Sequence, residues 1–308
     1  MTLHTGHQLL QRARVGRYGV GAFNTDNLEI TLAIIEAAEE TRSPVMLAIT
    51  AGALKYTRER IVPIALAEAR NASVPVAVHL DHGDSFERCL WCIRNGFTSV
   101  MIDKSHEDEA TNVRETRRLV DAARAVGVSV EAEIGRLVEL GAEVIISEET
   151  ATLTRVAEAA RFAEDSGCDT LAIAVGTAHG PNKGRGRPEI NHARIAEIAD
   201  AVEVPLVMHG ASSIPQDLVA RFLASGGELE GAVGIHDDDI RQAIASGMSK
   251  VYVGTDLRIA SSTAIRELLA AKPGTTDLRK ILAPAEAEMK RVIVAKMRLL
   301  GSAGHADD

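Results

Sequence analysis

Three histidines in the sequence each follow a short apolar run and precede a glycine: His82, His179 and His209. Imidazoles from three separate segments are typical ligands of an open zinc site, in which one position stays available to substrate. A single histidine of this kind is more often a hydrogen-bonded residue at the rim of a core. Three in equivalent contexts therefore predict a divalent metal centre.

A carboxylate lies beside the first of these histidines, in the stretch VAVHLDHGDS (76–85). Asp81 can either orient an imidazole or exchange a proton with substrate. Successive strand residues point to opposite faces, so Asp81 and His82 can share a site only where the strand is ending. His79 has the parity of Asp81 but lies deeper, which favours packing or a supporting role.

The segment GTAHGPNKGRGRPE (176–189) is rich in glycine and in cations. In an acidic protein, Lys183, Arg185 and Arg187 beside a metal site suggest capture of an anionic group. A solvated loop explains the two arginines equally well.

Two other segments place small residues directly before predicted helices: HGASSIPQDL (209–218) and VGTD (253–256). Backbone N–H groups at such helix starts, together with the hydroxyls of Ser212 and Ser213, can bind a phosphate. A divalent metal, a carboxylate and a phosphate cradle together suit the polarisation of a carbonyl on a phosphorylated sugar.

The candidate site residues must be positioned by regular elements. The sequence contains eight short apolar runs, which alternate with amphipathic stretches. The predicted strands are 18–24, 44–50, 74–82, 98–103, 128–133, 170–180, 204–210 and 249–255. The residues at their carboxyl ends are Asn24, Thr50, Asp81 with His82, Asp103, Glu133, His179, His209 and Thr255. Apolar strands that alternate with helices indicate a parallel sheet covered on both faces. Eight such units predict a closed (β/α)8 TIM barrel, in which these ends meet on one face.

A doubly wound open sheet is the alternative fold. No G-x-G-x-x-G follows the first strand, which removes the usual dinucleotide-binding reason to prefer it. No linker divides the sequence, so we expect residues 1–308 to form one domain with extra C-terminal helices from about residue 283. The last residues, GSAGHADD (301–308), are expected to fray.

The composition excludes several other classes of protein. With 46% hydrophobic residues the chain is globular, and no apolar run approaches the roughly 20 residues needed to span a membrane. A net charge of −9 with scattered basic residues disfavours nucleic-acid binding. An odd number of cysteines and no visible secretory signal favour the cytoplasm. We interpret Cys89 and Cys92, a C-x-x-C inside a predicted helix, as buried side chains rather than a redox motif.

Six motifs occur in a fixed order along the chain: VHLDHG, VMIDKSH, VEAEIG, GTAHG, VMHGASSIP and VGTDLR. In this order and spacing they resemble the class II, zinc-dependent ketose-bisphosphate aldolases, the family of fructose-1,6- and tagatose-1,6-bisphosphate aldolases. The resemblance runs from GAFNTDNLE almost to GSAG. It implies a TIM barrel that reversibly cleaves a phosphorylated ketose into dihydroxyacetone phosphate and an aldehyde. It also implies Zn²⁺, or another divalent ion in its place, and in many members a monovalent cation (Na⁺ or K⁺).

The resemblance further implies roles for individual residues. His82, His179 and His209 would bind the metal, with Glu133 and Asp103 as further contacts in the metal region, and Asp81 would exchange the proton of the C4 hydroxyl. The residues implied around the substrate and its phosphates are Asn24, Gly180, Lys183, Gly210, Ala211, Ser212, Tyr252, Gly254, Thr255 and Arg279. Arg279 would reach the distal phosphate across a subunit interface, which predicts a homodimer or homotetramer.

Two features depart from the family pattern. Tyr252 in KVYVGTD stands where the family usually has an asparagine that contacts substrate, so a phenol is expected to reshape or cap the pocket. In the loop 136–149, the usual Gly-Gly pair is replaced by Val138 and Glu139. That loop usually supplies the base for the proton on C3, for which Glu139 and Glu143 are the candidates.

Two rival functions remain open on the same barrel. A metal-dependent hydrolase would use zinc to activate water, but such enzymes generally carry H-x-H at the end of the first strand, which here reads GAFN. A non-catalytic sugar-phosphate-binding or accessory subunit would tolerate the changes at Tyr252 and in the loop. Such a binder has no need of a proton-transfer carboxylate such as Asp81.

Overall fold

The computed structural model describes residues 2–135, 153–177, 189–229 and 234–308, and the backbone alone of residues 138–139 and 178–179. Its strands are β1 (Val20–Asn24), β2 (Val45–Thr50), β3 (Val76–Gly83), β4 (Ser99–Ile102), β5 (Ser129–Ile134), β6 (Val138–Glu139), β7 (Thr170–Ile173), β8 (Ala178–His179), β9 (Leu206–Met208) and β10 (Met248–Val253). Its helices are α1 (Gly6–Gly16), α2 (Leu28–Thr41), α3 (Ala51–Thr57), α4 (Ile61–Asn71), α5 (Phe86–Arg94), α6 (Glu109–Arg124), α7 (Val156–Ser166), α8 (His192–Ala201), α9 (Gln216–Ala224), α10 (Asp237–Ala245), α11 (Thr255–Ala271) and α12 (Leu278–Leu299).

Eight of the strands form a closed parallel barrel. Around the ring their order is β1-β10-β9-β7-β5-β4-β3-β2, and the first and last strands in the chain pair with each other along Val20↔Lys250 to Phe23↔Val253. This closure confirms the predicted (β/α)8 barrel and excludes the open sheet. The remaining strands, β6 and β8, form a separate two-stranded sheet.

The stretch 170–180, predicted as one strand, is two, and on this point the prediction was wrong. Strand β7 ends at Ile173, and Gly176 has φ +104°, a conformation that side-chain-bearing residues rarely adopt. A Cβ at Gly176 would lie 2.2 Å from the carbonyl oxygen of Glu189. The chain therefore turns away before β8, and His179 pairs with Glu139 outside the barrel ring.

Helix α1 closes the amino end of the barrel. The His4 N–H donates to the Val76 carbonyl, and the His7 N–H donates to Ser129 Oγ, both at the first residues of strands. Leu9 and Leu10 are buried in one cluster with inward-facing strand residues, many of them alanines. The amino end of the barrel interior is therefore packed, which leaves the carboxyl end for a site.

Several polar residues that follow the strands begin the next helix. Asn27 accepts a hydrogen bond from the Ile30 N–H at 3.0 Å, Thr50 from the Ala53 N–H at 3.0 Å and Ser85 from the Arg88 N–H at 3.3 Å. Side-chain oxygens at this position satisfy amide groups that lack a partner in the first helical turn. Thr50, one of the strand-end residues, thus caps α3.

The C-terminal segment is docked, and the expectation that it frays was wrong. After α12, the N–H of Gly304 donates to the Thr41 carbonyl and that of Ala306 to the Arg42 carbonyl, both at 2.9 Å. The ring of His305 stacks on Tyr18 with 4.1 Å between centroids. Backbone hydrogen bonds and a ring stack hold this tail against the amino end of the barrel.

All three cysteines are buried and free, in line with the interpretation of the C-x-x-C as packing. Burial raises the pKa of the Cys92 thiol to about 12, far above that of a reactive thiol. Within the described ranges, no helix is both long enough and apolar enough to cross a membrane.

Candidate active site

The end of β3 brings Asp81 and His82 to one side of the sheet. The pairing with β4 shifts register between Leu80 and Gly83, and His82 has φ +49°, which breaks the alternation of the strand. His82 Nε2 consequently lies 3.8 Å from Asp81 Oδ1. The prediction that the two side chains meet at the strand end is confirmed.

His82 and His209 face each other across the mouth of the barrel. His82 Nε2 and His209 Nδ1 are 3.0 Å apart, with the rings edge to face at 4.6 Å between centroids. Each outer nitrogen is held by a carboxylate: His82 Nδ1 donates to Asp103 at 2.8 Å, and His209 Nε2 donates to Glu131 at 3.1 Å. A carboxylate on the far nitrogen fixes the tautomer of a metal-binding histidine, so both rings are set to present their inner nitrogens to one ion.

Two overlapping groups in the described part of the chain have ligand atoms close enough to hold a metal ion. One is Asp81, His82 and His209; the other is His82, Asp103 and Glu133. Asp81 is 4% exposed, and its Oδ1 has no hydrogen-bond partner among the described residues. The two inner imidazole nitrogens fit a divalent cation, and Asp81 Oδ1, 3.8 Å from His82 Nε2, is a buried carboxylate oxygen beside that position.

Charge around His82 changes its affinity for protons. Burial alone would lower the pKa of His82, but the hydrogen bond to Asp103 and the negative charges of Asp81 and Glu133 raise it to about 10. Burial would likewise raise the pKa of Asp103, and its hydrogen bond with His82 instead holds it well below its usual range. The metal-free site therefore holds a proton where a cation would bind.

Asn24, at the end of β1, orients Asp81. Its Nδ2 donates to Asp81 Oδ2 at 2.6 Å, which leaves Oδ1 as the oxygen next to His82. A Cβ on Gly254 would lie 2.4 Å from Asn24 Oδ1, so the start of α11 reaches the same place only because residue 254 is a glycine.

A buried polar network, which the sequence reasoning missed, lies beneath the histidines. Lys250 Nζ donates to Glu131 at 2.6 Å, to His79 Nε2 at 3.1 Å and to the Tyr252 hydroxyl at 3.2 Å. Burial and the charge of Lys250 hold the pKa of His79 well below its usual value, so the ring is neutral and accepts from the lysine. The supporting role expected of His79 is the one it has. The signal in the sequence was charged residues within otherwise apolar strands, Glu131 in VSVEAE and Lys250 in SKVYV.

The segments expected to bind phosphate begin two helices. Pro215 precedes α9 and Gly254 precedes α11, and neither helix has a side-chain cap hydrogen bond at its described start. First-turn N–H groups without a side-chain partner are available to an anion. Ser213 lies beneath these helix starts. Its hydroxyl donates to Asp237, and its hydroxyl and carbonyl oxygens accept from Lys296. Gly210, with φ +61°, leads from His209 into Ala211 and Ser212 at the edge of the site.

The remaining predicted site residues are placed less directly. Gly180, Lys183 and the candidate base Glu143 lie outside the described residues, and of His179 only the backbone, in β8, is described. Arg279 lies at the start of α12 with its side chain 91% exposed and paired to Asp277. An arginine offered to a second subunit would have such exposure.

Three comparisons with known proteins agree. Residues 4–305 match the family model described as fructose-bisphosphate aldolase class-II. A protein of Thermus caldophilus named fructose-bisphosphate aldolase is 54% identical over 99% of this chain and 100% of its own length, and one from Helicobacter pylori with the same name is 40% identical over 97% and 98%. The crystal structure of the YdjI aldolase from Escherichia coli K12 superposes with a TM-score of 0.82 at 30% identity and covers 99% of this chain.

Proposed function

The chain belongs to the class-II fructose-bisphosphate aldolase family, and we propose that it cleaves a ketose bisphosphate such as fructose 1,6-bisphosphate at a zinc centre held by His82, His179 and His209. Enzymes of this family are aldehyde lyases of carbohydrate metabolism. The products would be dihydroxyacetone phosphate and an aldehyde. The observation that supports this centre best is the pair of imidazole nitrogens 3.0 Å apart, each backed by a carboxylate, with Asp81 alongside.

The metal would supply Lewis acidity, which polarises the ketose carbonyl and stabilises the charge that develops during cleavage. Asp81 takes the proton of the C4 hydroxyl in cleavage and returns it in condensation. Asn24 binds Asp81 Oδ2, and Oδ1, which lies beside His82, is the oxygen that would accept the proton. Asp103 and Glu131 keep the two histidines in place throughout. The backbone at Ser212 and the start of α11 at Gly254 bind the phosphate of the dihydroxyacetone half and so fix the ketose relative to Asp81.

Further residues would surround the metal and the substrate. Glu133 and Asp103 would complete the metal region, and Lys183 with Gly180, Gly210, Ala211, Thr255 and Tyr252 would surround the substrate. A monovalent cation (Na⁺ or K⁺) would bind near the phosphate. Arg279 would serve a neighbouring subunit of a homodimer or homotetramer, each chain acting as one domain. The three free thiols suit a reducing compartment and support a cytoplasmic location.

The proposal is tested by substrate cleavage with the zinc-loaded protein. Fructose 1,6-bisphosphate and tagatose 1,6-bisphosphate are offered in turn, and dihydroxyacetone phosphate is measured; the reverse reaction is followed with dihydroxyacetone phosphate and a panel of aldehydes. Carbon–carbon cleavage and formation are expected. Ester cleavage alone would favour the hydrolase, and binding without turnover would favour the accessory role.

The role of Asp81 is tested by Asp81→Asn. We expect kcat to fall by about 10²–10⁴-fold while the zinc content stays at the wild-type level, because the change removes a base and retains the shape of the side chain. Asp84→Asn, which alters an exposed carboxylate in the same loop, is the control and should change neither value. An Asp81→Asn enzyme with unchanged turnover and less zinc would overturn the assignment.

A further inference from the structure

We propose that Tyr252 is a positioning residue for His209: the phenol holds that imidazole in the orientation in which its Nδ1 faces His82. This inference rests on the proposed metal centre and adds to it a residue that acts through another side chain. Tyr252 lies on β10, is 6% exposed and points into the barrel.

Tyr252 touches the histidine directly. The two ring centroids are 4.3 Å apart and the ring planes meet at 37°, so the phenol covers a face of the imidazole. Such ring pairs are favourable beyond the area they bury. A rotation of His209 away from His82 would therefore have to displace the phenol.

Tyr252 also reaches His209 indirectly, through two charged groups. Its hydroxyl accepts from Lys250 Nζ at 3.2 Å; the same ammonium donates to Glu131 at 2.6 Å, and Glu131 accepts from His209 Nε2 at 3.1 Å. Ring packing and hydrogen bonds thus form a closed cycle of four side chains. The Lys250 nitrogen is also 4.2 Å from the centroid of the phenol ring, which adds a cation–π contact inside the cycle.

The barrel interior has room for the phenol because its neighbours are small. Tyr252 is in register with Ala22 on β1, and Ala48, Ala77 and Ala172 belong to the same interior cluster. Alternation of large and small side chains lets such layers interdigitate without strain. The phenol is thus packed on the alanine side and bonded on the lysine side, which gives it one position from which to act on His209.

Two substitutions separate the parts of the contact. Tyr252→Phe keeps the ring and removes the hydroxyl, and should weaken zinc binding by about fivefold, as expected for one lost hydrogen bond. Tyr252→Leu removes the aromatic ring and the hydroxyl but keeps an apolar side chain, and should weaken zinc binding by about 10- to 100-fold, the range found when partners of metal-binding histidines are changed. Zinc affinity is measured by competition with a chromophoric chelator. The visible spectrum of the Co²⁺-substituted protein reports the geometry of the ligands independently of activity.

Tyr18→Phe is the matched control. Tyr18 is a buried tyrosine of the same interior cluster, and its hydroxyl has no hydrogen-bond partner among the described residues. This variant should keep wild-type zinc affinity and the wild-type Co²⁺ spectrum. Thermal unfolding of each metal-free variant identifies any that does not fold; if Tyr252→Leu fails to fold, Tyr252→Phe and its Co²⁺ spectrum decide.

The outcomes distinguish this inference from the proposed function. If the wild-type protein neither binds zinc nor cleaves a ketose bisphosphate, the proposed function fails. If it does both, and the folded Tyr252 variants bind zinc as tightly as wild type with an unchanged Co²⁺ spectrum, the positioning role is refuted and the aldolase stands. A loss of zinc affinity that is larger in Tyr252→Leu than in Tyr252→Phe, with a shifted Co²⁺ spectrum, supports the positioning role.

Discussion

At the scale of single residues, the proton between His82 and His209 is the most informative feature of the site. The inner nitrogens share a hydrogen bond at 3.0 Å, and both outer nitrogens already donate to carboxylates. One inner nitrogen must therefore carry a proton in the metal-free protein. Zinc requires both as lone-pair donors, so the ion and this proton compete for the same space.

Zinc binding should consequently release a proton. Because the pKa of His82 is about 10, the affinity should rise by about tenfold per pH unit between pH 7 and 9. Calorimetry in buffers of different ionisation enthalpy measures the released proton directly. Asp103→Asn replaces the charged acceptor of His82 Nδ1 with a neutral one, which lowers this pKa, so it should move the steep region to lower pH. A pH-independent affinity in the wild type would contradict the assignment of His82 as a ligand.

The same shift predicts how stability depends on pH without metal. The pKa of His82 is higher in the folded state than the usual 6.5, so protonation favours the folded state. This contribution should be fully present below pH 6.5 and lost as the pH rises toward 10. Urea unfolding of chelator-treated protein across this pH range measures the free energy of unfolding. In His82→Gln, this decline with pH should be absent.

Glu131 and Lys250 form a buried ion pair whose partners depend on each other. Both side chains are at most 1% exposed. Glu131→Gln or Lys250→Met alone leaves one charge buried without its partner, and each should cost about 3–5 kcal/mol of unfolding free energy. The double variant should recover most of that loss, as measured by urea unfolding of metal-free protein.

Zinc affinity should respond differently in these three variants. It should stay weakened in the double variant, because His209 still lacks its carboxylate. Additive loss of stability in the double variant would show that the pair is not coupled. Recovery of zinc affinity together with stability would show that Glu131 does not hold His209.

The sequence was sufficient to predict that Asp81, His82 and His209 lie together, because position at a strand end is a local property. It was not sufficient to find the roles of Glu131 and Lys250. Their strands, β5 and β10, are not neighbours in the barrel, and the pair forms across its interior. Which inward side chains meet there depends on closure and register, which no short segment encodes.

At the scale of elements, the last residues of β3 decide the direction of the His82 side chain. A Cβ at Gly83 would lie 2.4 Å from the backbone oxygen of Met101 and 2.8 Å from Cys89 Sγ. Gly83→Ala should therefore cost about 1–3 kcal/mol and weaken zinc binding, because the strand end has to move.

Gly52→Ala is the matched change at the end of the neighbouring strand. The nearest atom to a Cβ there is 3.5 Å away, an ordinary contact, and residue 52 lies within α3. It should be neutral or stabilise the protein by up to ~1 kcal/mol. Thermal unfolding and chelator competition of the two variants check the pair; equal behaviour would show that the close approach at Gly83 has no role.

The strands of the barrel were predictable because each is an apolar run that precedes an amphipathic helix. The break at Ile173 was not, since 170–180 reads as one continuous run. After Ile173 the backbone bonds to other segments: Ala174 pairs with Thr154, and the Val175 carbonyl accepts from the Asn191 N–H. Hydrophobic pattern reports burial, and a buried turn has the same pattern as a buried strand.

At the scale of the whole molecule, the two ends of the barrel have separate tasks. The residues proposed to bind the metal and transfer the proton lie at the carboxyl ends of β3, β4 and β9. Helix α1 and the C-terminal tail contact segments that precede strands, at Tyr18 before β1 and at Arg42 before β2. Substitutions at the amino end of the barrel should therefore alter the stability of the protein without changing its catalytic activity.

Removal of residues 301–308 tests this division. The cut falls after Leu300 because the Leu300 carbonyl accepts from the Gly19 N–H at 2.8 Å. The truncated protein loses the backbone hydrogen bonds of Gly304 and Ala306 and the stack of His305 on Tyr18, worth about 2 kcal/mol together, or ~3 °C in Tm for a chain of this length. Well below the new Tm, kcat and zinc affinity should match the full chain.

Asp307→Asn supplies the control for the truncation, since it removes only the exposed ion pair with Arg42. The two side chains are 44% and 77% exposed, and such pairs contribute at most about 1 kcal/mol. Its Tm should stay close to wild type, which would attribute the loss in the truncated protein to the docked backbone and the ring stack. A truncation that keeps its Tm would show that the tail is not bound in solution, and one that loses zinc would show that the two ends of the barrel are coupled.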